Sequence, residues 1–108
     1  MGKWILISES NCNDTKRLPE FNDWYNSVHV VDLLEVPGVI KATRYEKVLS
    51  RFDATGGRKG QYITIVEMEG ESIEEISKTF GTTMAQRKAE GRYSKLLDVV
   101  STYFYKMM

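Results

Sequence analysis

Three of the four strand-like segments in this sequence are apolar on both faces, and that pattern constrains the fold more than any other feature. Ile5 and Ile7 oppose Trp4 and Leu6 in the first, and Ile63 and Ile65 oppose Tyr62 and Val66 in the third. In the fourth, Val100 and Phe104 stand against Leu97, Val99, Tyr103 and Tyr105. Side chains alternate along a strand, so a sheet of these strands carries two apolar faces. Helices joined to such a sheet by short connections cover one of them. The other needs a second cover, and a twofold copy of the same chain supplies it most simply.

The order of elements sharpens this expectation. Residues 4–7 read as a strand. Pro19 suits the first turn of a helix, and Glu20 and Asp23 suit its positive end. Phe21, Trp24, Tyr25, Val28 and Val31 then share one face of a helix running from about residue 18 to 36. Pro37 and Gly38 stop it. Residues 39–48 and 61–68 read as strands joined by a long hairpin loop over residues 50–60. Ser72 with Glu75 forms a capping box for a second helix, which Gly81 ends or kinks. Thr83 with Gln86 offers another box, for a short helix stopped by Gly91. Residues 97–105, rich in Val, Tyr and Phe, form the last strand. The result is β-α-β-β-α-β, a ferredoxin-like α+β fold with an antiparallel four-stranded sheet.

At 108 residues the chain spans one domain, 1–108, since domains cluster at roughly 100–150 residues. Lys and Arg together number 15, as do Asp and Glu, so no net charge points to nucleic acid or an anionic membrane. No run approaches the ~18 apolar residues of a membrane span, and no signal-peptide core opens the chain. A cytoplasmic protein is the expectation. Cys12 is the sole cysteine, which excludes an internal disulfide and a multi-cysteine metal site. No metal site and no cofactor are expected. Gly56, Gly57 and Gly60 lack phosphate-loop spacing and precede a strand rather than a helix.

Residues 20–39, EFNDWYNSVHVVDLLEVPGV, resemble the first helix and following turn of EthD-like members of the dimeric α/β-barrel superfamily. The matching residues are the aromatic pair Trp24 and Tyr25, His29 one turn later, and Pro37-Gly38 before the second strand. The resemblance implies a homodimer whose two sheets pack together, and a pocket between the first helix and the sheet. That superfamily includes polyketide cyclases and dehydratases, quinone-forming monooxygenases, isomerases, haem-binding enzymes and stress-responsive proteins. Fold alone therefore does not choose a reaction. The Asn-Trp-His constellation of the cofactor-free monooxygenases is not matched, because Asn11 is placed in the first loop.

His29 is the only histidine and sits at the margin of the helix's apolar stripe. Tyr25, His29 and Asp32, spaced i, i+4, i+7, put a phenol, an imidazole and a carboxylate on one ridge. Asp32 falls inside the apolar arc, where an isolated carboxylate is costly and needs a partner, a proton or a wet cavity. One reading makes His29 a general acid/base oriented by Asp32, with Tyr25 and Trp24 walling a pocket for a hydrophobic, carbonyl-bearing small molecule. Such a site suits a cofactor-independent lyase, cyclase or isomerase. In the other reading His29 lies at a helix surface and Asp32 pairs with a cation or backbone N–H. Tyr62 can hydrogen-bond a carbonyl oxygen or simply pack. Arg44 can bind an enolate or pair with a strand glutamate such as Glu46, Glu67 or Glu69. A non-catalytic binding or stress-associated domain is the rival function, and a haem- or oxygen-using oxidoreductase the third.

Overall fold

The computed structural model describes residues 2–53 and 60–108. Strand β1 (Gly2–Cys12) leads through a 3-10 turn (Thr15–Arg17) into helix α1 (Leu18–Trp24). A π-helical turn (Tyr25–His29) follows without a break, and helix α2 (Val30–Glu35) completes the rod. Then come β2 (Val39–Glu46), β3 (Tyr62–Gly70), α3 (Ile73–Ala89) and β4 (Leu97–Lys106). The sheet order is β2-β3-β1-β4, with every neighbouring pair antiparallel. This is the ferredoxin-like fold expected from the order of elements. Because β1 extends to Cys12, Asn11 lies in the strand rather than in the loop after it. The glycine-rich stretch read as a hairpin tip lies, Gly60 apart, outside the described residues.

Ends of elements form where local chemistry asks for them. Asp14 accepts from the N–H of Lys16 at 3.0 Å, and Pro19 occupies the first turn of α1. Gly38 takes φ +93°, and its missing Cβ lets the carbonyl of Glu69 approach; an added Cβ would stand 2.7 Å from that oxygen. Ser72 accepts from the Glu75 N–H at 3.1 Å, as the capping box requires. The helix it opens runs unbroken through Gly81 to Ala89 and ends at Gly91, whose φ is +77°. Thr83 therefore caps nothing. A lone glycine costs a helix about 1 kcal/mol, too little to break one that packs on a sheet.

Two irregularities reposition side chains relative to a regular reading. The π turn inserts an extra residue per turn, so the buried stripe passes through Phe21, Tyr25, His29, Leu33 and Val36. Val28 is only half-buried and Val31 is exposed, where an unbroken α-helix would bury both. In the β1–β4 ladder a bulge falls between Glu9 and Ser10. It flips the parity of the strand, so Leu97 and Val99 face the same side as Thr102 rather than the side of Tyr103 and Tyr105.

The core between helices and sheet is divided. Leu6, Leu33, Val36, Val66, Met68, Ile76 and Met84 form one apolar cluster, and Phe21, Tyr25, Tyr62 and Leu96 another. Between them runs a polar row. Arg44 pairs with Thr64, Thr64 with Ser8, and Ser8 with Thr102, so four strands contribute one polar residue each at the same level. On the opposite face, Ile5, Ile7, Ile63 and Ile65 are half-buried, and Tyr45, Tyr103 and Tyr105 are exposed. No helix covers them.

Candidate functional site

The polar row faces the π turn, and the cavity between them is the candidate site. It measures about 80 Å³. Tyr25 and His29 close it on the helix side, and Tyr93 joins from the loop after α3. Ser8, Thr64 and Thr102 supply its polar floor, with Leu6, Leu33 and Met84 around them. A polar level through an otherwise apolar core loses burial energy and therefore asks for a hydrogen-bonding occupant or internal pairing. Part of the pairing is internal, since the Tyr25 hydroxyl and Thr64 Oγ1 are hydrogen-bonded. Burial pushes the Tyr25 phenol's pKa up, so it stays neutral.

His29 is 8% exposed and held in an aromatic cage. Its ring stacks on Trp24 at 5.0 Å and meets Tyr25 and Tyr93 edge-on at 4.8 and 5.4 Å. Nδ1 is buried with no hydrogen-bond partner among the described residues. Burial lowers its pKa to about 4, against the opposing pull of Asp32, while Arg44 adds to the lowering. At neutral pH the imidazole is uncharged, with one nitrogen unsatisfied inside the protein. An orphaned buried polar atom costs about 1–3 kcal/mol, and active sites are where such costs are tolerated.

Asp32 does not orient this ring by a hydrogen bond. It is 1% exposed, and both of its oxygens accept from Arg92 Nε, at 3.0 and 2.8 Å. The buried carboxylate thus has the partner its position demands, and it acts on His29 only through space. Arg92 is fixed a second time, because its carbonyl accepts from Trp24 Nε1 at 2.9 Å. Together Asp32 and Trp24 pin the segment that carries Tyr93 against His29.

Arg44 and Tyr62 lie on the far side of Tyr25. The Arg44 guanidinium sits 4.1 Å from the Tyr25 ring centroid and donates to Asn22 and Asn26 at 3.0 and 3.1 Å. It faces the helices rather than pairing with a strand glutamate, and it supports the back of Tyr25. Tyr62 packs in the second apolar cluster, 6.0 Å from the Phe21 ring. Of the residues singled out in the sequence, the structure brings together Trp24, Tyr25 and His29, with Asp32 behind them. Sequence reasoning missed Arg92, Tyr93 and the polar row. The row had a signal: Arg44, Thr64, Ser8 and Thr102 are the inward polar positions of four strands, visible once the register is known.

Among the described residues, no group of three or more His, Cys, Asp or Glu side chains could hold a metal ion, and no helix is long and apolar enough to cross a membrane.

No protein-family model and no curated protein matches the sequence. Solved structures do match the fold. A candidate monooxygenase from Shewanella loihica PV-4 superposes with TM-score 0.62 at 15% identity, over 99% of this chain and 95% of its own. An EthD family protein from Bacillus halodurans C-125 gives 0.60 at 15% identity, over 100% of both chains. A dimeric ferredoxin-like protein of unknown function from Thermobifida fusca YX gives 0.54 at 8% identity, over 98% and 90%. This chain has their fold. The likeness extends over nearly the whole chain and is a likeness of fold.

Proposed function

We propose that this chain is an EthD-like dimeric α/β-barrel enzyme, a cofactor-independent lyase, cyclase or isomerase acting on a hydrophobic, carbonyl-bearing small molecule. The observation that carries the reading is the unpartnered nitrogen of a neutral, caged His29 at a cavity floored by a polar row. The neutral ring takes a proton from the carbon next to the carbonyl, while hydroxyls of the polar row donate to the oxygen that becomes an enolate. The new imidazolium is attracted to that enolate and to Asp32 behind it, and it returns the proton to the same or another atom. Trp24, Tyr25 and Tyr93 keep water from the ring, which strengthens these interactions.

The working unit is a homodimer, in which the helix-free faces bearing Ile5, Ile7, Ile63 and Ile65 cover each other. The dimeric neighbour from Thermobifida fusca supports this reading. A haem-using role fits the site poorly, because three rings enclose His29 and the cavity of about 80 Å³ is far smaller than a porphyrin.

One observation favours a second reading, a binding domain without chemistry: a ring with a pKa of about 4 is a weak base. The two readings separate in deuterium oxide, with apolar ketones as probes and NMR to follow exchange next to the carbonyl. The enzyme reading expects exchange above background that falls ~10²–10⁴-fold in His29→Ala while the melting curve survives. Binding without exchange across the panel overturns it in favour of the second.

A further inference from the structure

We propose that the substrate carries an anionic tail, a carboxylate or a group of similar charge, held by Lys88 and Lys95 outside the His29 cavity. This rests on the enzyme site described above and specifies what enters it. The inner cavity shares Tyr93, Leu97 and Val99 with a second, shallower groove of about 410 Å³. Three shared wall residues make the two spaces neighbours, the inner one polar-floored and the outer one fringed by Lys88, Ser94 and Lys95. At about 80 Å³ the inner cavity accommodates a small acyl end and little more, so a longer substrate must extend into the groove.

The charges there are uncompensated. Glu35 and Glu90 are taken by Arg87, and Asp32 by Arg92. Lys88 and Lys95 are in no ion pair among the described residues; Lys88 stands 6.0 Å from the centroid of the Tyr93 ring, the ring that also walls His29. The two lysines thus line the groove that adjoins a neutral, largely apolar site, on a chain whose formal charges sum to zero with both of them counted. A neutral base inside and cations at the mouth together select a molecule neutral at its reacting end and anionic at the other.

The test uses δ-acetylvalerate, a methyl ketone at one end of an unbranched chain and a carboxylate at the other, against its methyl ester. His29 is the single histidine, so its ring resonances report occupancy of the inner cavity for both ligands. The acid is expected to shift those resonances with about five- to tenfold higher affinity than the ester at low salt, and added salt should erase the difference. Lys88→Gln combined with Lys95→Gln should remove the preference and leave ester binding unchanged. Equal affinity for acid and ester, with His29 shifted by both, overturns the anionic tail and leaves the enzyme site standing. A preference that survives in the double variant also overturns the role of these lysines. If neither ligand moves His29, both this inference and the site reading fall.

Discussion

At the scale of the residue, the ionisation of His29 couples the site to stability. Its pKa is about 4 when folded and 6.5 when unfolded, so below pH 6.5 the unfolded chain takes up a proton that the folded one refuses. Stability is therefore full above pH 6.5 and lost as pH falls towards 4, by up to about 3 kcal/mol. His29→Phe keeps a ring in the cage and removes the titration, so its urea midpoint should depend less on pH across that window than the parent's. Asp32→Asn removes the buried carboxylate that accepts from Arg92 and should lower the urea midpoint. It should also lower the pKa of His29 further, because the carboxylate is what raises it; NMR titration of the ring measures this directly. Much of this site was legible in the sequence. Tyr25, His29 and Asp32 were recognisable as one ridge with Trp24 as a wall beside it, and the cost of burying Asp32 demanded a partner. That the partner is Arg92, 60 residues along the chain, depends on tertiary placement that spacing does not encode.

At the scale of the element, the π turn separates the helix that the sequence periodicity describes from the one that forms. A regular wheel buries Val28 and Val31, whereas the inserted residue sends His29 and Leu33 inward. Leu33→Ala should cost about 2–5 kcal/mol and Val31→Ala less than about 0.5 kcal/mol, compared by chemical denaturation. The reverse ranking would restore the unbroken α-helix. Such turns leave no mark in hydrophobic periodicity, because both frames here are rich in apolar residues. The bulge in β4 is hidden in the same way: Leu97, Val99, Tyr103 and Tyr105 are equally suited to either face, and only pairing decides. The limits of the rod were legible, since Pro19, Pro37 and Gly38 act through local backbone chemistry. Gly81 misled because propensity yields to packing over a helix of 17 residues.

At the scale of the whole molecule, element order and two-faced strands were enough for the ferredoxin-like fold. They were not enough for the reaction, since one fold hosts many chemistries. The dimer has a direct check: Ile65→Lys puts a charge at the centre of the helix-free face, beside Ile7 and Thr43 in the ladder. Light scattering should give two chains for the parent and one for the variant, with the fold retained by circular dichroism. A monomeric parent would remove the proposed assembly. The proposed chemistry turns on a neutral, caged His29 that moves a proton. The pH dependence of deuterium uptake by methyl δ-acetylvalerate tests it most directly, set beside the NMR titration of the same ring. Uptake is expected to rise through the pKa of His29, near 4, stay level to neutral pH, and fall to background in His29→Ala. Uptake above background that His29→Ala retains in full, or that titrates at a pKa the ring does not show, would contradict it.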